Sequence, residues 1–388
     1  MMGLREDCRF LFLASFLVTC GTTLAQGPLP RTPSDILKSN GYPSEVHHVT
    51  TEDGYILQLD RIPQPGKPVV YLANQLVSSA AAYLILGKGK SIGFLLYDAG
   101  FDVWLSNFRG TNFSLTHKTL SSSDDKFWEF GWHEHGTLDN PALIDYIVAT
   151  TKQPSVVFMG HSMGATTFFV TASERPDTLK KISAAFVMGP ASFLAHHRNP
   201  ALSIYHPVAN ITQRIADLTH HHRQPVEFIR SVIDRICNSA RRLNQELCRL
   251  AGLSPDDRIL SDIGIFFPAG GSLGQILHYA QLGDRKWPGF RKYNYGTRGN
   301  RARYGQDTPP DYNLANINTP IFMYYGQDDS WCTEEDMALL RSNLKNVRKS
   351  FIPLRKNFKH RDFVLSDTAY EDVWKEVLKD LDPYLRQS

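Results

Sequence analysis

Segment 156–167 constrains the fold of this chain more than any other stretch. It begins with apolar, β-prone residues, passes through a Gly-x-Ser-x-Gly box at residues 160–164, and continues with residues that can be helical. Such a box between a strand and a helix is typical of a nucleophile elbow, a sharp turn that presents a serine hydroxyl. A side chain at Gly160 or Gly164 would collide with the neighbouring strand or helix. The sequence therefore predicts a strand–turn–helix unit with Ser162 as a nucleophile.

Apolar strand patterns alternate with helical patterns along much of the chain. A hairpin is predicted over residues 46–62, where Asp53-Gly54 provides the turn. The other predicted strands are 68–73, 101–105, 156–159, 184–188, 320–325 and 350–353, and the predicted helices are 91–99, 140–149, 334–344 and 370–381. Asn140 is predicted to cap its helix, with Pro141 at the first helical position. The alternation predicts an α/β fold: a mostly parallel sheet covered by helices on both faces.

The alternation stops near residue 192 and resumes at residue 320. We therefore expect one α/β core formed by residues 26–192 and 319–388, whose first part, 26–44, is a Pro-rich arm laid on the core. The inserted residues 193–318 contain amphipathic helical pieces and no buried-strand pattern. An insertion of this size beside a nucleophile predicts a mainly helical cap or lid over the active site.

The first 25 residues have the pattern of a secretory signal peptide. Arg5 and Arg9 precede an apolar run at 10–18, and a small-x-small site ends at Ala25. No later apolar run is long enough to predict a transmembrane helix. Two N-glycosylation sequons, at Asn112 and Asn210, agree with this interpretation. We expect a protein of the secretory pathway, either extracellular or lysosomal.

Three cysteines remain after the predicted signal peptide: Cys237, Cys248 and Cys332. In an oxidising compartment, a bridge between Cys237 and Cys248 is favoured, with Cys332 free, and the alternative is three unpaired buried thiols. The formal net charge of +3 on 388 residues indicates no nucleic-acid partner. Histidine runs at 196–197 and 220–222 lack companion ligands at metal-binding spacing, so we expect neither a metal nor a cofactor.

A serine nucleophile needs a base, and the base needs a carboxylate that orients it. After an elbow serine, the acid and then the histidine follow in chain order. His360 is the only histidine after residue 278, which makes it the predicted base. Asp328 and Asp329 both follow the strand predicted at 320–325, so spacing alone leaves the acid open. The oxyanion should be held by the Met163 N–H and by an N–H of the loop that begins at residues 73–76.

Several longer stretches resemble the acid lipase family, which includes the gastric and lysosomal acid lipases. The similar stretches are 41–43, 49–57, 98–105, 160–167 and the segments around Asp329 and His360, in the family's order. The resemblance implies an α/β-hydrolase core, a lid-bearing cap and hydrolysis of neutral lipid esters, triacylglycerols or cholesteryl esters, at a lipid–water interface. It also implies Asp329 as the acid, Leu76 as the second oxyanion donor, and Cys237 and Cys248 as the paired cysteines of the cap.

The chain departs from the family beside the oxyanion leucine, where Asn74-Gln75 replaces His-Gly. Gln75 could tilt the Leu76 N–H, and the loss of one oxyanion donor costs about 10²–10³ in turnover. Two functions therefore follow as hypotheses. The first is a lipase that works through a Ser-His-Asp triad and an acyl-enzyme. The second is a catalytically weakened lipase homologue that binds or stores lipid.

Overall fold

The computed structural model describes residues 32–199, 202–203, 212, 222 and 269–386. The predicted signal peptide, Cys237, Cys248 and Asn210 lie outside the described residues. The stretch 223–268 of the predicted insertion does so as well.

A sheet of nine strands forms the centre of the described part of the chain. The strands are β1 Glu45–Thr50, β2 Tyr55–Ile62, β3 Val69–Ala73, β4 Asp102–Ser106, β5 Thr116–His117, β6 Val156–His161, β7 Ile182–Met188, β8 Ile321–Tyr324 and β9 Val347–Phe351. Their order is β1-β2-β4-β3-β6-β7-β8-β9, and β5 pairs with β2. The pairs from β4 to β9 are parallel, and the pairs made by β2 are antiparallel. Parallel strands end at the same edge, so the residues that follow β3, β6, β8 and β9 meet there.

Helices cover both faces of this sheet. In chain order, the described helices are α1 Pro33–Ser39, α2 Ile92–Asp98, α3 Trp132–Glu134, α4 Asn140–Thr151, α5 Met163–Glu174, α6 Pro176–Leu179, α7 Leu273–Leu282, α8 Gly296–Tyr304, α9 Glu334–Ser342, α10 Asp362–Leu365 and α11 Lys375–Leu385. Strand β3 shows the two layers, because Val69 and Tyr71 point into a core shared with α4 and α5. Val70 and Leu72 point into a second core, shared with α2 and α11. The predicted class, a mostly parallel sheet with helices on both faces, is confirmed.

The structure corrects the predicted start of one helix. A π-helical turn, His135–Asp139, runs directly into α4, so Asn140 lies within a continuous helix and is not its cap. The Asn140 side chain is buried and accepts a hydrogen bond from Tyr71 Oη at 2.8 Å. Its amide nitrogen donates to Thr167 and Thr171 of α5. The prediction was wrong because the Asn140 side chain is held by residues of β3 and α5, and a local Asn-Pro pattern does not reveal such partners.

The segment interpreted as a Pro-rich arm contains a helix in its described part. Thr32 accepts a hydrogen bond from the Asp35 N–H and the Asp35 carboxylate accepts one from the Thr32 N–H, which forms a reciprocal cap at the start of α1. The Thr-Pro-Ser-Asp run carries this signal in the sequence.

The described residues also bear on the expectations about membrane-spanning helices and about Cys332. No helix among them is both long enough and apolar enough to cross a bilayer. Cys332 is a free, buried thiol, as predicted.

Candidate active site

The turn between β6 and α5 holds Ser162 in a strained backbone conformation, with φ 55° and ψ −120°. Left-handed φ values are uncommon for residues other than glycine. Close packing encloses the turn: a Cβ on Gly164 would lie 2.1 Å from the Ala73 carbonyl oxygen, and one on Gly160 would lie 2.5 Å from the Gly164 carbonyl carbon. The glycines therefore let β3, β6 and α5 meet closely enough to present the Ser162 hydroxyl at the edge of the sheet.

The structure brings the three residues predicted as a triad into one hydrogen-bonded chain. His360 Nε2 lies 2.8 Å from Ser162 Oγ, and His360 Nδ1 lies 2.8 Å from Asp329 Oδ2. The three residues are distant in sequence but follow β6, β8 and β9, which end at the same edge of the sheet. Because a carboxylate only accepts hydrogen bonds, the Nδ1–H of His360 donates to Asp329. The Nε2 lone pair is then free to accept the proton of Ser162.

Asp329 is held as a buried carboxylate. Its Oδ1 accepts hydrogen bonds from the backbone N–H groups of Trp331 at 2.8 Å and Cys332 at 3.0 Å. Burial alone would raise the pKa of Asp329, but the His360 imidazole and these hydrogen bonds outweigh burial and lower the pKa below its usual value. Asp329 therefore stays ionised to a lower pH than an ordinary aspartate does, which suits an orienting carboxylate.

The other two aspartates near the site point elsewhere. Asp328 is exposed, and its N–H donates to the Phe358 carbonyl oxygen. Asp362, next but one to the histidine, accepts from the Lys359 N–H and pairs with Arg355 at 2.7 Å. The ambiguity between Asp328 and Asp329 is thus resolved in geometry, since only Asp329 faces the imidazole.

The two predicted oxyanion donors have no hydrogen-bond partner among the described residues. These are the N–H groups of Leu76, in the loop after β3, and Met163, at the start of α5. Asn74 braces the same loop from inside. Its Nδ2 donates to the carbonyl oxygens of Gln75 and Ser78, and its Oδ1 accepts from Ser106 Oγ and the Phe108 N–H. The Asn74 that replaces histidine therefore stabilises the loop instead of leaving it loose.

Tyr83 joins the two strands that carry these donors. Its buried Oη donates to the Ala73 carbonyl oxygen at 2.7 Å and accepts from the His161 N–H at 3.2 Å. Ala73 ends β3 and His161 ends β6, so this hydroxyl bridges the two strand ends that carry the predicted oxyanion loop and the nucleophile.

We expect Tyr83→Phe to lower kcat for the reaction of Ser162 about tenfold, because a sub-ångström shift between donors and nucleophile already costs rate. Tyr71→Phe is the matched control, since it also removes one buried hydroxyl, which donates to Asn140 in the core. Each change should lower the free energy of unfolding by about 1–3 kcal/mol. Steady-state kinetics and denaturant unfolding of both variants test this. Equal kcat in the two variants would contradict the bridging role.

His161, the residue before the serine, was not singled out from the sequence. It is 2% exposed, and its Nε2 lies 2.7 Å from the backbone carbonyl oxygen of His360. Burial, together with the nearby His360 ring, lowers the pKa of His161 to about 3. A histidine in a Gly-x-Ser-x-Gly box lies at a variable position of the motif, so only the fold could reveal its partner.

The low pKa of His161 predicts a pH dependence of stability. In the unfolded chain this histidine titrates near its ordinary value of about 6.5. Between pH about 3 and 6.5 the unfolded chain therefore holds a proton that the folded chain does not, so acidification favours unfolding. His161 alone should lower the unfolding free energy by about 1.4 kcal/mol per pH unit in that window. As the pH falls from 7 to 4, the unfolding free energy of His161→Gln should rise relative to that of the wild type by this amount per pH unit. Denaturant unfolding measures it, and parallel curves of unfolding free energy against pH would contradict the prediction.

Two groups of possible metal ligands occur among the described residues. Asp329, Cys332 and His360 form one, and Asp125, Glu129 and His222 form the other. In the first, Asp329 and His360 already bind each other. In the second, the Asp125 carboxylate accepts from both the N–H and the Nδ1 of His222. In the histidine run at 196–197, His196 pairs with Asp336 at 2.8 Å. Each pairing satisfies the side chains concerned without a cation.

The sequence of this chain is similar to known hydrolases and lipases along most of its length. A family model described as "Partial alpha/beta-hydrolase lipase region" matches residues 33–87. A second family model, described as "alpha/beta hydrolase fold", matches residues 89–206. Lipase 3 of Drosophila melanogaster is 33% identical over 384 residues, 95% of this chain and 97% of that protein. The human lysosomal acid lipase/cholesteryl ester hydrolase is 32% identical over 363 residues, 89% of each chain.

A solved structure agrees on the fold. A soluble variant of monoglyceride lipase from Saccharomyces cerevisiae, with a substrate analogue, has a TM-score of 0.54 at 16% identity. The match covers 89% of this chain and 96% of that one. The fold and these relatives together define a carboxylic ester hydrolase with an α/β-hydrolase fold, as the sequence predicted. Within that class, the chain belongs to the lipase family.

Proposed function

We propose that this protein hydrolyses the carboxylic esters of neutral lipids, triacylglycerols or cholesteryl esters, at a lipid–water interface. Ser162 is the nucleophile, His360 the general base and Asp329 the orienting acid. The observation that carries the proposal is the continuous chain of two 2.8 Å contacts from Ser162 Oγ through His360 to Asp329. The lipid substrate class is supported by the relatives named as lipases and as a cholesteryl ester hydrolase.

The geometry supports a specific sequence of proton transfers. His360 Nε2 takes the proton of Ser162 while Oγ attacks the ester carbonyl carbon. The negative charge that develops on the carbonyl oxygen is held by the N–H groups of Leu76 and Met163. His360 returns the proton to the leaving alcohol, which leaves an acyl group on Ser162. A water molecule, deprotonated by the same nitrogen, then releases the fatty acid.

Purified protein should release fatty acid from emulsified triacylglycerol or cholesteryl oleate, measured by continuous titration at acidic and neutral pH. Asp328→Asn serves as the matched control for Asp329→Asn, because Asp328 is adjacent to the proposed acid but exposed. We expect this variant to retain the wild-type rate. A folded wild-type protein that releases no acid from any neutral lipid ester, under either condition, would end the proposal.

The alternative function is lipid binding or storage without turnover, for which the sequence reason was Asn74-Gln75. The described contacts favour turnover, since Asn74 braces the loop and the Leu76 and Met163 N–H groups have no partner among the described residues. Replacing Asn74-Gln75 by His-Gly discriminates the two. A rise in kcat of about 10² or more would place a defect in this loop, and an unchanged or lower kcat supports the native loop as competent.

We also propose entry into the secretory pathway, with the signal peptide over residues 1–25 and a bridge between Cys237 and Cys248. The named relatives include a lysosomal enzyme, which supports either export or lysosomal delivery. Asn112 is exposed, as a glycosylated asparagine must be, and Asn210 is the second proposed site. Glycosidase treatment of protein expressed in animal cells should shift its mass, and each Asn→Gln variant should remove one step of that shift.

A further inference from the structure

His161 occupies the junction between the nucleophile and the base. It is the last residue of β6, directly before Ser162, and its ring lies 4.9 Å from the ring of His360 between centroids. Its Nε2 lies 2.7 Å from the backbone carbonyl oxygen of His360, and Phe363 packs on the same ring at 5.2 Å. The mechanism above makes no use of this buried imidazole.

The direction of the hydrogen bond follows from its partner. A carbonyl oxygen can only accept, so the Nε2 of His161 carries the hydrogen and donates it. The Nδ1 of His161 is buried and has no partner among the described residues. A second proton on Nδ1 would therefore be a buried charge without an acceptor, and burial accordingly lowers the pKa of His161 to about 3. The ring stays neutral, with its one N–H on the His360 carbonyl oxygen.

His360 needs such a contact because it lies in a loop. Ten residues, 352–361, connect β9 to α10. On its other side the His360 ring contacts Asp329 and stacks on Trp331, with centroids 5.8 Å apart. These contacts orient the ring, but the described contact that ties the backbone of His360 to the elbow itself is the one from His161.

We propose that His161 is a positioning residue for the reaction of Ser162: its Nε2–H holds the backbone of His360 so that the His360 imidazole stays within reach of Ser162 Oγ. His161 and Ser162 are consecutive residues, so a single rigid turn fixes the nucleophile directly and the base through one hydrogen bond. His161 touches neither substrate nor reacting atoms. Its contribution is the distance between two groups that must meet for proton transfer. The proposal rests on the proposed function.

The test compares three substitutions of His161. Glutamine can place its Nε2 where the histidine Nε2 was, and asparagine has an amide too short to reach. Phenylalanine keeps the tilted ring contacts with His360 and Phe363 but has no donor. With a soluble short-chain p-nitrophenyl ester, His161→Phe and His161→Asn should lower kcat about 10- to 100-fold, with KM changed less than about twofold. His161→Gln should retain most of the wild-type kcat.

His278 provides a matched control within the same chain. It is also buried, stacks on an aromatic ring (Trp132, 3.6 Å between centroids), and has its Nε2 2.9 Å from a backbone carbonyl oxygen, that of Arg291. His278→Phe removes the same kind of hydrogen bond away from the triad. It should lower the thermal midpoint to a similar extent as His161→Phe and leave kcat unchanged.

Equal kcat in His161→Gln and His161→Asn, or equal losses of kcat in His161→Phe and His278→Phe, would overturn the positioning role. The glutamine and asparagine pair suffices if the phenylalanine variant does not fold. The proposed function is decided separately by the wild type: a wild-type protein without esterase activity refutes that function and this role with it, whereas an active wild type with fully active Asn and Phe variants refutes only the role of His161.

Discussion

Ser162→Ala is expected to lower ester hydrolysis by about 10⁴- to 10⁶-fold, because Ser162 is the proposed nucleophile that carries the acyl group. The remaining rate would come from substrate binding and from the two proposed oxyanion donors, the backbone N–H groups of Leu76 and Met163. Among the described residues, the only hydrogen bond of Ser162 Oγ is with His360 Nε2, so the change removes one hydrogen bond and should leave the elbow intact. Initial rates on triacylglycerol emulsion, with the thermal midpoint as a check of folding, measure this.

Ser183→Ala is the matched control for that change. Ser183 is half-buried near the start of β7, at the opposite edge of the sheet, where its hydroxyl donates to the Val156 carbonyl oxygen. It should keep the wild-type rate. If the folded Ser162→Ala protein kept more than about one per cent of activity, an effect far smaller than removal of a nucleophile produces, Ser162 would not be the nucleophile.

Asp329→Asn should lower kcat by about 10⁴-fold through the wrong histidine tautomer. Two backbone N–H groups, of Trp331 and Cys332, converge on Oδ1 of the carboxylate. They will hold the amide oxygen of an asparagine in that position, which turns the amide NH₂ towards His360 Nδ1. Nδ1 then becomes an acceptor and Nε2 carries the hydrogen, so the imidazole can no longer take the proton of Ser162.

The lowered pKa of Asp329 also predicts a pH dependence of the stability of the fold. A carboxyl whose folded pKa is depressed stabilises the fold above its unfolded pKa of about 3.9 and loses that contribution as pH falls through the folded pKa. Removing this charge should therefore cost stability at pH 5 to 7 and progressively less below pH 4. Asp328→Asn, on the exposed neighbour, should change neither kcat nor this profile. Comparable losses of kcat in both variants would show that Asp329 has no special relation to His360.

The fold was largely predictable because its signals are local. Residues 156–167 contain strand, turn and helix in one run, and the chain order of Ser162, an aspartate and His360 follows from the order of the strands. The Asp53-Gly54 turn predicted a hairpin that β1 and β2 form in register from Glu45 with Arg61 to Thr50 with Ile56.

The remaining features depend on contacts between distant residues. Asn140 has the local pattern of a helix cap, yet its side chain meets Tyr71 of β3 and two threonines of α5. Asn74 looked like a defect beside the oxyanion leucine, and its contacts with Ser106 and Phe108 identify it as a brace. Such partners lie tens of residues away, so no pattern in a short window indicates them.

The role of His161 illustrates the same limit within the site. Its partner, the carbonyl oxygen of His360, is 199 residues away along the chain. A backbone oxygen also carries no residue-specific signal that a sequence could reveal. By contrast, the choice between Asp328 and Asp329 could be made from the resemblance to the acid lipases, and only Asp329 faces the imidazole in the structure.

Whether Ser162 is the nucleophile can be decided by treating the folded protein with a fluorophosphonate and locating the adduct by mass spectrometry of the digested chain. We expect one adduct, on Ser162, that appears together with the loss of lipid ester hydrolysis and is abolished by His360→Gln. An adduct on another residue, or full hydrolysis after complete labelling of Ser162, would contradict it.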